Sequence, residues 1–268
     1  THNHVDLERQ ILLVSFEKSA ASAYCEPVKS ALPSPNTELY QRLIQKGTSI
    51  LSWDVLIPVA QIPVIYEDNL YGAGLLVQSL VEKGHSSIAG IFQMDDQRGH
   101  ERYQGFLDAM QNQGLTVPDR NICWYTTQEL DDFRQSRDIS FLKKLLERIT
   151  PDCTAFICEN DFIAWLLWEE LSLEQEKRIA THAPLSSSLQ NTGFKATSAN
   201  HSFETTIALA AFNTSYLTTS GLLCATTLTH SAHQPGALAA QMSINKLKGL
   251  PVSSQEVPWQ LSLPKSHN

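Results

Sequence analysis

Residues 62–92 read "IPVIYEDNLYGAGLLVQSLVEKGHSSIAGIF". Their rhythm decides the fold. "IPVIY" is a short apolar run of the kind that forms a strand buried on both faces. "EDNLYGAG" is turn-rich. Ala73, Leu76, Val77, Leu80 and Val81 then recur at helical spacing and predict an amphipathic helix. Gly84 stands where such a helix exits through a left-handed residue. "SSIAGIF" is again a strand. A strand, a covering helix and a second strand in this order make the crossover unit of a parallel sheet.

The same alternation continues outward. Tyr103, Phe106, Leu107 and Met110 keep helical spacing up to Gly114, and "NICWY" follows as a strand. Ile139, Leu142, Leu145, Leu146 and Ile149 predict another helix, "TAFIC" a strand, and residues 161–173 a further helix. Later, "TTIALAAF" reads as a buried strand, "GALAAQMSINKLKG" as a helix ended by Gly249, and "VPWQLSLP" as a final short strand. Short connections between such elements predict an α/β fold, with parallel sheets flanked by helices. Two stretches break the rhythm. Residues 174–204 are long and polar and read as an insertion, because structureless loops of that length are uncommon in compact domains. Residues 1–50 lack a clean period, and "ILLVSF" fits a strand or a helix turn equally.

Composition narrows the function. Hydrophobic residues make up 42% of the 268, enough for a core, and the formal net charge is −8. Without a basic run the chain is a poor candidate for direct DNA contact or for an anionic membrane surface. No apolar stretch reaches membrane-spanning length, and "THNHVDLERQ" lacks a secretory apolar region. The 5 cysteines show no Cys-x-x-Cys and the 9 histidines no metal-ligand spacing, so we expect buried thiols in a reducing cytoplasm and no metal. Nucleophile-elbow, Walker, dinucleotide-binding and zinc-protease motifs are absent from the sequence. That reading expects no enzyme and no cofactor.

In parallel sheets, ligands sit beyond the carboxyl ends of strands. Glu67, Asp68 and Asn69 follow "VIY". Gln93, Asp95, Asp96 and then Arg102 follow "GIF". Glu159, Asn160 and Asp161 follow "FIC", and Asn213, Thr214 and Ser215 follow "ALAAF". Each group alone reads as a helix cap. Together they would line a cleft with Asp, Asn and Arg, whose paired donors and acceptors suit adjacent sugar hydroxyls. Asp95, Asp96 and Arg98 are the weaker members, fit for a rim or a cap. Trp53 offers a stacking face for a sugar, whereas Trp165 and Trp168 read as packing.

These segments carry a resemblance. "VIYEDNLYGAGLLVQSLVEKGHSSIAGIF", "RYQGFLDAMQNQGL", "ENDFIAWLL", "ALAAFNTSYL" and "TTLTH", in that order, resemble the effector-binding domain of LacI/GalR-type repressors. "EPVKSALPSPNTELY" and "GIFQMDDQRGHERYQGF" are similar to its arabinose-repressor branch, which joins such a domain to a GntR-type winged helix. The resemblance implies a periplasmic-binding-protein-like fold of two lobes joined by three crossovers, with a small sugar between them. It places the first lobe in residues 1–92 plus 232–250 and the second in 93–231 plus 251–268. The first lobe would be incomplete, lacking its opening strand and helix.

Carried over by position, Arg102, three residues before Gly105, matches the sugar-binding arginine, and Asn160 a cleft polar residue. Asn213 stands where the first Asp of an Asp-Asp pair is usual, with Thr214 also replacing an acid. Glu26 and Lys29 match a polar pair of the arabinose branch, and Asp68 and Asn69 fall in the segment that enters the cleft. Ser231 stands where proline is common. The implied protein is a cytoplasmic homodimeric repressor, touching DNA only through a winged helix not contained in these residues. A transport system's sugar-binding protein would share the fold. Helices near 70–83 and 235–248 would either form dimer faces or simply cover a sheet. On this reading Arg102→Ala abolishes sugar binding without unfolding the domain.

Overall fold

A computed structural model of the chain describes residues 11–15, 37–54, 56–181, 207–230 and 234–264, with the backbone alone at 11–15, 174–181 and 234. The chain divides into two compact units. One takes its described elements from residues up to Asp68 and from His230–Trp259, the other from Asn69–Thr229 and from Gln260 onward. The backbone thus passes between units at Asp68–Asn69, Thr229–His230 and Trp259–Gln260.

In the first unit, β1 (Ile11–Ser15), β2 (Ser49–Trp53), β3 (Val64–Tyr66) and β9 (Gln255–Glu256) form a 4-stranded sheet in the order β1-β2-β3-β9. Every pairing in it is parallel. "ILLVS" is therefore a strand, in register with β2 from Ile11 opposite Ser49 to Ser15 opposite Trp53. Helix α1 (Thr37–Gln45) buries Tyr40 with Ile50, Ile57, Val59 and Ile62. Helix α8 (Gln234–Leu247) buries Ala239 and Met242 with Leu51, Ile65 and Val257. That accounts for one face of α8 as sheet cover, while Ile244 and Leu247 stay exposed. Trp53 packs against this second cluster and donates from Nε1 to Asp54 Oδ2 at 3.1 Å.

His230, just after one crossing, is held by residues that precede the other two. It meets Glu67 Oε1 through Nε2 at 2.6 Å and Pro258 O through Nδ1 at 3.2 Å, and stacks on Trp259 with ring centroids 4.1 Å apart. Burial alone would lower its pKa. The hydrogen bond and charge of Glu67, aided by the Pro258 carbonyl and Asp54, outweigh burial and raise it above the ordinary imidazole value.

The second unit is built on a 6-stranded sheet of order β10-β8-β7-β6-β4-β5. Its strands are β4 (Ile88–Gln93), β5 (Ile122–Tyr125), β6 (Ala155–Cys158), β7 (Ala208–Ala211), β8 (Thr226–Thr229) and β10 (Gln260–Ser262). All pairings are parallel except β10 with β8. Around the sheet lie α2 (Asn69–Glu82), α3 (Gln97–Asn112), α4 (Thr127–Ser136), α5 (Ser140–Arg148), α6 (Asp161–Thr181) and the short α7 (Tyr216–Thr219). Tyr125, Phe141, Leu142, Leu145, Phe156, Ile163 and Leu167 sit in one large core cluster. Each fully buried Leu or Phe contributes about 1.5–3 kcal/mol relative to exposure. Trp165 and Trp168 pack against that cluster, as the packing reading expects.

Gly84 and Gly114 end α2 and α3 with φ of 91° and 69°. In both, the following residue donates back into the last turn, His85 N to Leu80 O and Leu115 N to Met110 O, which satisfies carbonyls the helix leaves open. Gly105 serves a different purpose. A Cβ there would lie 2.6 Å from Leu70 Cα and 2.7 Å from Leu70 O, so only glycine lets α3 approach α2 this closely.

The structure corrects the sequence reading in four places. Residues 69–92 belong to the second unit, because β4 pairs with β5 and β6 and α2 packs on α3. Residues 251–259 belong to the first, because β9 pairs with β3. The final "VPWQLSLP" strand is two short strands, one in each sheet, separated at 257–259. Helix α6 continues through Thr181 into the stretch read as an insertion, and the remainder, 182–204, lies outside the described residues. Helix α2 buries Gly72, Ala73, Leu76, Val77 and Leu80 in its own unit, so that face covers the sheet, leaving Leu70 and Tyr71 exposed.

Candidate functional site

The polar residues gather at the carboxyl ends of β4, β5, β6 and β7, on the edge where open parallel sheets hold ligands. Asp96 caps α3, accepting from Arg98 N at 2.8 Å, and its Oδ2 pairs with Arg98 Nη2 at 2.8 Å. Burial pushes the Asp96 carboxyl up, but the charge and hydrogen bonds of Arg98 outweigh it and hold the group below the ordinary carboxylate value. Asp95 accepts from Thr127 N at 3.0 Å at the start of α4 and from Gln93 Nε2 at 3.1 Å. Thr126 and Glu129 close a reciprocal capping box there. The cap reading of Asp95, Asp96 and Arg98 accounts for these contacts.

Arg102, one helical turn further along α3, is the centre of a buried network. Its side chain is 2% exposed. Nε donates to Asn69 Oδ1 at 2.9 Å, and Nη1 donates both to Glu159 O and to Glu159 Oε1 at 2.7 Å. The guanidinium carbon lies 4.4 Å from the centroid of the Phe212 ring. Asn69 passes the network on, donating from Nδ2 to Glu101 Oε2 at 2.8 Å. Glu159 is anchored by its own N–H to Ile91 O at 2.9 Å, and its Oε2 accepts from Gln93 N at 3.4 Å. Burial raises the Glu159 carboxyl above its ordinary value, with Arg102 opposing the shift. Tyr125, at the end of β5, is fully buried, and its phenol is pushed well up by burial and by the Glu159 charge.

Of the residues singled out from sequence, the structure brings Arg102 and Asn69 into direct contact. Asn160 adjoins Glu159, but its Oδ1 accepts from Ile163 N at 2.9 Å and so caps α6. Asn213 follows Phe212 with φ of 63°, a left-handed geometry that Asn tolerates. Asp68 lies in the first unit. Glu26 and Lys29 lie outside the described residues. Thr214 bridges to Thr227 Oγ1 at 2.8 Å and Leu228 O at 3.0 Å, and Asp161 accepts from Ser215 N at 2.7 Å. Glu159 was named with the polar residues after "FIC" but not matched to a ligand-binding position, and Phe212 was not singled out. Both sit at the carboxyl end of a strand, and that position was their one legible signal.

This geometry makes Arg102→Ala a destabilising substitution as well as one that alters the site. Arg102 is among the largest fully buried side chains, and its loss strands a buried carboxylate. Two surface cavities of the second unit lie away from this network. One of about 400 Å³ is lined by Cys123, Trp124, Glu129, Phe141, Lys144 and Arg148, and one of about 260 Å³ lies beside Lys83, Trp168 and Cys224. Cys123, Cys153 and Cys158 are buried and Cys224 is exposed. Burial pushes the Cys123 and Cys153 thiols up to about 12. Among the described residues, no cluster of His, Cys, Asp or Glu is placed to hold a metal, and no helix is long and apolar enough to cross a membrane.

Residues 77–175 match the model of a periplasmic binding protein-like domain. The chain is 29% identical over 170 residues to the arabinose metabolism transcriptional repressor of Geobacillus stearothermophilus, covering 63% of this chain and 46% of that protein. With the arabinose metabolism transcriptional repressor of Halalkalibacterium halodurans it shares 26% over 173 residues, covering 61% of this chain and 43% of that one. It therefore spans less than half the length of these curated relatives. The crystal structure of a LacI transcriptional regulator from a Rhodococcus species superposes with a TM-score of 0.64 at 20% identity, over 97% of this chain and 77% of the other. That likeness shows the fold. Residues 77–175 are thus similar to a periplasmic binding protein-like domain, and part of the chain is similar to arabinose metabolism repressors, the branch the motifs led us to expect. Both of these curated relatives are named as transcriptional repressors.

Proposed function

We propose that this chain is the effector-binding part of a cytoplasmic, homodimeric transcription repressor, sensing a small monosaccharide for which L-arabinose is the leading candidate. DNA contact belongs to a winged-helix part outside these residues. The observation that carries the reading is the buried Arg102 network at the carboxyl ends of the second unit's strands, held by Asn69 and Glu159 over the Phe212 ring. The arabinose repressors among the relatives support the choice of sugar. Sugar acts by differential affinity: the conformation that binds it better gains population, and the same free energy is felt at the DNA.

Calorimetric titration of the 268-residue chain with L-arabinose tests this. Saturable heat is expected, and it should be lost in Arg102→Lys, which keeps the charge but not the planar fork. A folded chain giving no saturable heat would sink the arabinose assignment. Equal affinity in the lysine variant would remove Arg102 from recognition.

A further inference from the structure

We propose that Glu159 is a specificity-determining residue that restricts the site to uncharged sugars and turns away acidic or phosphorylated ones. The inference rests on the sugar-site reading and deepens it. A buried guanidinium at the carboxyl end of a sheet is the natural counter-ion for an anionic ligand, since it offers a planar fork to carboxylate or phosphate. Here Nε and Nη1 of that fork are already engaged. Glu159 Oε1 lies 2.7 Å from Arg102 Nη1, with both side chains almost wholly buried, at 4% and 2% exposure. The backbone carbonyl of the same residue takes a second bond from Nη1 at 2.7 Å. The next arginine on the helix is spoken for in the same way, with Arg98 Nη2 2.8 Å from Asp96 Oδ2.

Beside the two paired arginines, the neighbours Asp95, Gln93, Thr127, Glu101 and Asn69 are acidic or neutral. Asp95 accepts from Thr127 and Gln93, and Glu101 accepts from Asn69. An anion entering here meets the carboxylates of Asp95 and Glu101, while the two arginines are already paired with Glu159 and Asp96. In a buried setting that repulsion is weakly screened. A neutral polyol carries no such penalty, and the same carboxylates and amides suit its hydroxyls as acceptors. Glu159 sets this balance because it neutralises Arg102 through a bond that both partners bury. Phe212 beneath the guanidinium adds an apolar face and no charge.

The test compares two sugars that differ by one charge, D-galactose and D-galacturonate, titrated calorimetrically into the 268-residue chain and into Glu159→Gln and Glu159→Asp. The unmodified chain is expected to favour galactose over galacturonate by about tenfold or more. Glu159→Gln should shift that ratio toward galacturonate by about the same factor, and Glu159→Asp should not. Circular dichroism confirms that each variant is folded. If the unmodified chain takes galacturonate as readily as galactose, the inference is overturned without recourse to any variant. An unchanged ratio in folded Glu159→Gln also overturns it while leaving the sugar site standing. No binding of galactose, galacturonate or L-arabinose by the unmodified chain overturns the sugar-site reading and this inference together.

Discussion

Replacing Arg102 with alanine removes a guanidinium whose side chain is 2% exposed and leaves the Glu159 carboxylate, 4% exposed, buried beside the space it filled. Breaking a buried ion pair from one side costs about 3–5 kcal/mol, because the remaining charge keeps its desolvation penalty without its partner. Loss of the Nε bond to Asn69 and of the contact with the Phe212 ring acts in the same direction. Each is worth about 1 kcal/mol and overlaps with the first contribution rather than adding to it. A domain is stable by about 5–15 kcal/mol in all, so the substitution removes at least about a fifth of that margin. With a urea slope of about 2 kcal/mol per M, the midpoint should fall by about 1.5–2.5 M. The assay is urea unfolding followed by far-ultraviolet circular dichroism. A second variant separates charge from volume: the pair Arg102→Met with Glu159→Leu should recover most of the loss, since apolar replacement of a buried pair is close to neutral. An Arg102→Ala midpoint within about 0.3 M of the parent would mean that water reaches the pair and that the ion pair is not buried in the folded protein.

Two further outcomes follow from other parts of the molecule. The His230 imidazole has a raised pKa, so its contribution to stability is full below about pH 6.5, its unfolded value, and is lost as pH rises through the folded value. Melting temperature should therefore fall as pH rises above about 6.5, and Glu67→Gln should flatten that dependence; an equal slope in both proteins would show that the Glu67 contact does not set it. Gly105→Ala would place a Cβ 2.6 Å from Leu70 Cα, forcing α3 away from α2 at a cost of about 1–3 kcal/mol. Chemical denaturation checks this, and a neutral effect would show that the helices are not packed this closely.

The sequence by itself determined the class of fold. Apolar spacing is a local property, and the periods of "IPVIY", of Ala73 to Val81 and of "TAFIC" identify strand or helix without knowledge of any neighbour. It also placed the candidate polar residues on one edge, because the residues after each strand must lie at the carboxyl end of a parallel sheet. It missed α4, whose start is set by the Thr126–Glu129 capping box rather than by a long apolar face. Tertiary structure alone decided the rest. Glu159 and Arg102 are 57 residues apart in sequence, and they meet because β4 and β6 are neighbours in the sheet while α3 follows β4. No local pattern records which strands lie side by side. The same holds for the unit boundary at Asp68–Asn69 and for the division of "VPWQLSLP" between two sheets. There, hydrogen bonding to partners distant in the chain outweighs the continuity of the segment itself, since each strand must find a ladder for its backbone groups.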